Sequence, residues 1–342
     1  MSRVSRARRV AVTAAYGGGT VGAAGALLLA MLAGQARLAR RAVGEPATPA
    51  PAADGLYGPN PNQPDPAPEE AGLAPADGAG SLVLAVLGDS RAAGFGVDRA
   101  GQTPGALIAA GLAEAAGAPV RLVTAAVVGA RSADLRDQVA AVREHRPHVA
   151  VVLVGANDVT HRVRPATSVR HLAQAVGDLV AAGAAVVVGT CPDLGTVEPI
   201  AQPLRLVARR WSRTLAASQT IAAVEAGART VSMGDLLGPE FAASPGVLFS
   251  ADGFHPSASG YARVASALLP SVLVALGLSP DEPPALAPPG GVQSLVEAAV
   301  TAVEEAGTEV SGIDIAGQAR GPWGRWVVLR HRARRAVASR HD

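Results

Sequence analysis

Ser90, Asn157, Asp252 and His255 are the side chains of this 342-residue chain whose types and settings could together carry a reaction. Serine is a poor nucleophile until a base takes its proton, and histidine is the usual base near neutral pH. That base needs a carboxylate to fix its tautomer and stabilise its charged form. Asp252 and His255 stand three apart in "FSADGFHPSASG". A tetrahedral intermediate needs donors aimed at its oxyanion, and a glycine amide with an asparagine side chain supplies two. Gly129 in "TAAVVGARSADL" and Asn157 in "VVLVGANDVT" are of those types. The chemistry would be acyl transfer to water. Each residue also has an ordinary explanation: "GDS" at 88–90 is turn-forming, Asn157 suits a turn, and Asp252 with His255 could cap the start of a helix.

The elements around them favour the chemical explanation. Apolar runs of strand length recur at Leu82–Leu87, Val120–Val127, Val149–Val154, Ala185–Val188 and Thr230–Met233. Helical spacing occupies 104–116, 133–146, 168–182, 204–226 and 257–276 between and after them. Continuous Val-rich strands alternating with helices predict a parallel sheet covered on both faces. Sites in such sheets form at the carboxyl ends of the strands. Ser90, Gly129 and Asn157 each follow a strand, and Asp252 and His255 precede the last helix of this unit. Four coincidences would be needed to leave all of them structural.

With these words in this order, residues 81–278 resemble the SGNH (GDSL) hydrolase family. "GDS" at 88–90 matches its first block, Gly129 its second, "GAND" at 155–158 its third and "DGFH" at 252–255 its fifth. The second block matches at its glycine alone. The resemblance implies Ser90 as nucleophile, His255 as base and Asp252 as its orienting acid. It implies an oxyanion hole of the Ser90 amide, the Gly129 amide and the Asn157 side chain. It further implies a three-layer α/β/α sandwich with a flavodoxin-like sheet, and no metal or cofactor. The GxSxG elbow is missing from the sequence, which disfavours the α/β-hydrolase alternative.

Composition narrows the field. All 30 basic side chains are Arg, so Lys-dependent mechanisms, Schiff bases and the Walker-type phosphate loop included, are excluded. The net charge of +2 gives no indication of nucleic acid. The single cysteine, Cys191 in "GTCPDLG", excludes a disulfide framework and reads as a small buried thiol. His145, His148, His161 and His171 make no metal-ligand set, and "THRVRP" at 160–165 reads as a solvated loop.

Outside the hydrolase-like unit, residues 1–44 read as a signal-anchor or a cleaved signal. Arg3, Arg6, Arg8 and Arg9 precede 25 uncharged residues from Val10 to Gly34, followed by Arg37, Arg40 and Arg41. "GGGTVG" at 17–22 lacks the strand and acidic residue a dinucleotide site requires. The Arg balance, four and the α-amino group against three, puts the unit outside a cell membrane, with secretion after cleavage as the alternative. Residues 45–80 form a Pro/Ala-rich linker. Residues 279–342 hold a Pro-rich stretch, an amphipathic helix at 292–307 and a tail with seven Arg and two Trp from 319. The tail reads as either a solvated charged end or a membrane-surface segment. The expected activity is serine-dependent hydrolysis of a small ester or an acylated glycan or lipid. Its rivals are deacetylation of an envelope polysaccharide and a catalytically silent envelope-binding protein.

Overall fold

A computed structural model describes residues 25–39, 41–43, 49–59, 81–234, 239–279, 292–305, 307–312 and 326–331. Five parallel strands make its centre: β2 (Leu82–Gly88), β3 (Val120–Thr124), β4 (Val149–Leu153), β5 (Ala185–Gly189) and β6 (Arg229–Val231). Their order across the sheet is β3-β2-β4-β5-β6. The chain therefore steps outward from β2 to β3 and returns past it to β4. Sites in open α/β sheets form at such a reversal, here beyond the carboxyl ends of β2 and β4.

Alternation along each strand divides the core into two layers. Leu84 and Val86 of β2, with Val149, Val151 and Leu153 of β4, pack against α2 (Pro104–Ala116) and α9 (Ala258–Ala275) through Ile108, Leu112, Leu268 and Val272. Ala85 and Leu87, with Ala150 and Val152, face the other way. They meet α3 (Leu135–Arg143), α5 (Pro165–Ala181) and α6 (Leu204–Glu225) through Leu135, Val142, Leu172, Val176 and Ala223. The result is the expected three-layer α/β/α sandwich. Strands and helices lie within a few residues of the expected ranges. β3 stops at Thr124 because the chain after it turns into the loop that carries Gly129.

Among the described residues the sheet has nine strands and extends beyond this unit on both sides. Within the Pro/Ala-rich stretch, β1 (Gly55–Tyr57) pairs antiparallel with β3. Tyr57 is buried there and its hydroxyl donates to Ala53 O at 2.6 Å. At the opposite edge, β7 (Val292–Ser294), β8 (Thr308–Gly312) and β9 (Trp326–His331) add in the order β6-β8-β9-β7, all antiparallel. The stretch expected as one helix over 292–307 thus divides, with α10 (Leu295–Ala302) following β7. Ser294 Oγ accepts from Glu297 N at 3.3 Å, and Glu297 Oε2 accepts from Ser294 N at 3.4 Å, a reciprocal cap that starts the helix at Leu295. Of the Arg-rich tail, Trp326–His331 is β9, and the remainder lies outside the described residues.

Residues 1–24 of the stretch expected to be a signal-anchor or a cleaved signal also lie outside the described residues; 25–39 form helix α1. Among the described residues, Ala258–Ala275 is long and apolar enough to cross a membrane. It is helix α9, which follows the short helices α7 (Pro239–Ala243) and α8 (Pro245–Leu248), and its Tyr261, Leu268 and Val272 are fully buried in the core.

Candidate active site

Gly88 ends β2 with φ +136°, and a Cβ there would stand 1.9 Å from Leu153 O. Only glycine fits so close to the neighbouring strand. Asp89 N continues the pairing by donating to Leu153 O at 3.0 Å, and the chain then turns, placing Ser90 at the head of β2. Gln138 of α3 holds both sides of Gly88: its Oε1 accepts from Gly88 N at 2.7 Å and its Nε2 donates to Gly88 O at 2.9 Å. Asp89 turns inward and takes a two-point ion pair from Arg91, Nε at 3.2 Å and Nη2 at 3.0 Å. Burial alone would lower the Arg91 pKa, but the Asp89 carboxylate beside it outweighs that and raises it. The turn under Ser90 thus rests on a satisfied buried charge pair.

The second half of the site comes from 249–256, where Phe249 and Pro256 form an antiparallel bridge. Asp252 Oδ1 accepts from Ser250 Oγ, Phe254 N and His255 N at 2.8–2.9 Å, which curls the loop around the carboxylate. Its Oδ2 lies 2.6 Å from His255 Nδ1, and His255 Nε2 lies 2.9 Å from Ser90 Oγ. Partial burial by itself raises the Asp252 pKa. Hydrogen bonds from the His255 ring and from the His255 and Phe254 amides outweigh it and hold the group at about 2. An ionised carboxylate only accepts, so Nδ1 carries the hydrogen of that pair and Nε2 is left to accept from the Ser90 hydroxyl. Phe95 and Phe254 meet the imidazole edge-on at centroid distances of 4.6 and 4.9 Å, confining its rotation. Gly96, φ +104°, leaves room for this: a Cβ there would be 3.1 Å from His255 Cβ.

Asn157 is in the short helix α4 (Ala156–Thr160) after β4, half-buried, with Nδ2 donating to Ala130 O at 3.0 Å. That bond ties it to the loop that holds Gly129, which is exposed at φ +84°. The same loop is laced to β2, with Ala125 N donating to Val86 O and Val127 N to Gly88 O. The structure therefore brings Ser90, Asp252 and His255 into direct contact and carries Gly129 and Asn157 on segments tied to each other at the same sheet edge. Gly129 also lines an open cleft of about 500 Å³ with Val127, Val128, Asp134 and Gln138, and neither Ser90 nor His255 is among its lining residues.

A family model for the GDSL-like lipase/acylhydrolase family matches residues 86–263. The chain belongs to the GDSL-like lipase/acylhydrolase family. It is 46% identical over 202 residues to "GDSL-like esterase Rv1075c" of Mycobacterium tuberculosis, a match spanning 58% of this chain and 64% of that protein. Among solved structures, it is similar to the crystal structure of TesA at 26% identity, TM-score 0.40, covering 58% of this chain and all of that one. It is also similar to an acetylxylan esterase of Geobacillus stearothermophilus at 18% identity, TM-score 0.41, covering 59% and 95%. An extracellular lipase of Streptomyces rimosus aligns at 17% identity, TM-score 0.42, covering 57% and 99%.

In this GDSL-like protein several positioning residues escape a reading of the motifs. Asp158, next to Asn157, is buried and accepts from Ser132 N at 3.0 Å, Ser132 Oγ at 3.1 Å and Ser168 Oγ at 2.7 Å. It fastens the Gly129 loop, α4 and α5 at one point. Gln219 of α6 bridges the ends of β4 and β5 by donating to Val154 O at 3.0 Å and accepting from Cys191 N at 2.7 Å. A signal for the two glutamines was present. Gln138 shares a helical face with Leu135, Val139 and Val142, and Gln219 shares one with Leu215, Ala216 and Ala223, so each is polar at a core phase. Cys191 itself is buried, and burial pushes its thiol up to about 12, leaving it an inert small core residue.

Proposed function

We propose that this protein hydrolyses carboxylic esters through an acyl-enzyme on Ser90. The observation that carries the reading is the chain of contacts Ser90 Oγ–His255 Nε2 at 2.9 Å and His255 Nδ1–Asp252 Oδ2 at 2.6 Å. Ser90 Oγ attacks the ester carbonyl carbon while its proton passes to His255 Nε2. The carbonyl oxygen becomes an oxyanion, received by the Ser90 and Gly129 amides and by Asn157 Nδ2, which has one hydrogen left after its bond to Ala130 O. Collapse breaks the ester C–O bond, and the leaving alkoxide takes the proton from His255. Water then attacks the acyl-enzyme, gives its proton to Nε2, and the second collapse returns the proton to Ser90 and releases the acid. Asp252 stays ionised throughout and stabilises the imidazolium. A catalytically silent binder has no need of this relay.

We further propose that the uncharged segment from Val10 to Gly34 anchors the protein, with the hydrolase unit outside the membrane and its substrate a small ester or an acylated glycan or lipid. The Arg balance supports this orientation. The mechanistic test is Ser90→Ala with His255→Ala. Each should cut kcat for an aryl ester by about 10³-fold or more, since members of such a set act as a unit. Neither should take up a serine-reactive phosphonate at the wild-type rate. Near-normal turnover by Ser90→Ala would overturn the mechanism.

A further inference from the structure

Helix α1 leaves the hydrolase unit with its first two turns uncovered. Residues 25–31, Gly-Ala-Leu-Leu-Leu-Ala-Met, are all exposed, whereas 32–36 are half-buried. Leu27 and Leu29 are 72% and 69% exposed and Leu28 49%. A helix that lies in a protein groove is apolar along one stripe, and one that is apolar all round needs apolar surroundings on every side. A protein partner or a second copy would cover one stripe and leave the other leucines in water. A bilayer covers all of them. The sequence continues the character upstream: no charge occurs from Val10 to Gly34, while Arg3, Arg6, Arg8 and Arg9 stand at one end and Arg37, Arg40 and Arg41 at the other. About 20 residues suffice to cross the hydrocarbon, and arginines at both ends suit the head groups.

The base of α1 is held against the domain at the edge of the Ser90 site. Gln35 uses both ends of its amide: Nε2 donates to Gln202 O at 2.5 Å, and Oε1 accepts from Leu204 N at 3.1 Å. Ala39, Leu204 and Phe254 all pack against the apolar cluster that includes Val197 and Ile200. The 197–204 segment in turn meets the histidine loop, since a Cβ on Gly253 would lie 3.3 Å from Pro199 Cγ. Phe254 then touches the His255 ring. One short segment is shared by the emerging helix and the loop of the reacting histidine.

We infer that α1 is the emergence of a membrane-spanning helix, and that the Gln35 clasp on Gln202 and Leu204 holds the mouth of the Ser90–His255 site against the lipid surface, where it takes acyl esters resident in the bilayer. This rests on the anchor proposed above and goes beyond it. An anchor and a linker alone would let the domain stand clear in any orientation, and the clasp removes that freedom.

The experiment uses the full chain in phosphatidylcholine–phosphatidylglycerol vesicles, with a cysteine at Glu198→Cys on the shared segment or Glu144→Cys at the opposite edge of the sheet. Both positions are exposed, and buried Cys191 does not label. An environment-sensitive fluorophore at 198 should be quenched by head-group spin-labelled lipid several-fold more strongly than one at 144. Gln35→Ala should abolish that difference while the protein still floats with the vesicles. The same variant should lose hydrolysis of a vesicle-embedded long-chain ester several-fold and keep its rate on a soluble aryl acetate. Equal quenching at the two sites with flotation intact overturns the docked orientation and leaves the anchor standing. Failure to float overturns the anchor and the docking with it. Asymmetry that survives Gln35→Ala, or equal loss on both esters, overturns the clasp. Quenching is read equally well in Ser90→Ala, so its outcome is separate from that of the serine mechanism.

Discussion

At the scale of single residues, Asn157 and Asp252 make separable demands. Asn157 Nδ2 already donates one hydrogen to Ala130 O, so its value to a developing oxyanion lies in the second. Asn157→Ala should lower kcat by about 10²- to 10³-fold, with KM little changed, because the donor matters most as charge develops. A change confined to KM in steady-state kinetics would make it a binding residue instead. Asp252 gives a prediction in pH. Its pKa is depressed from 3.8 to about 2, so its ionised form favours the folded state. That contribution is fully present above about 3.8 and is lost as pH falls through about 2. In urea titrations the stability gap between wild type and Asp252→Asn should therefore be constant above pH 5 and close between pH 4 and 2. A gap that widened on acidification would contradict the ionised carboxylate. The sequence alone made Ser90, Asp252 and His255 legible, because their types and spacing match a known chemistry. The Asp89–Arg91 pair beneath the serine was not, since adjacent charges read equally well as a solvated turn.

At the scale of elements, the strand ends are held by buried polar side chains whose partners lie far away in sequence. Asp158 joins three segments through its bonds to Ser132 and Ser168. Asp158→Ala leaves those donors buried and unpaired, a loss of about 3 kcal/mol or more given that bonds to a charged group are worth roughly 1.5–3 each. For a domain of this size that is roughly 6–12 °C in Tm. Turnover should fall too, because the loop of Gly129 and the helix of Asn157 lose their common fastening. Thermal denaturation beside kinetics at a temperature where the variant is folded checks both, and a variant as stable as wild type would refute this role. The parallel core was legible because five Val-rich runs alternate with helical periods. β1 was not, because three residues in a Pro/Ala-rich stretch carry no period and pair only through tertiary contact with β3. The capping words Ser294 and Glu297 were in the sequence, yet a continuous apolar period over 292–307 concealed the start they mark.

At the scale of the whole molecule, the question is whether the carboxyl-terminal strands are an appendage or part of the hydrolase fold. Three observations join them to it. β8 pairs with β6 through Thr230–Val310 and Val231–Glu309, α10 packs on Val224 of α6, and Glu309 is fully buried. Glu309 accepts from Arg229 Nε at 2.6 Å on β6 and from Ser271 Oγ at 3.0 Å on α9, so one carboxylate links β8 to two elements of the hydrolase unit. Nothing in the motifs announced this, since an ion pair 80 residues apart has no local pattern. Breaking a buried pair by removing one partner costs about 3–5 kcal/mol. Glu309→Gln should accordingly lower the stability of the entire molecule and shift a single cooperative transition. β5 and β6 separate β8 from the strands that carry Ser90 and Asn157. Thus kcat at 25 °C should stay within about twofold of wild type, the spread expected for a change remote from the reacting groups. Calorimetry decides between the alternatives. If the variant instead melts in two steps, with the main transition at the wild-type temperature, the added strands are a separate module and the sheet is not one cooperative unit.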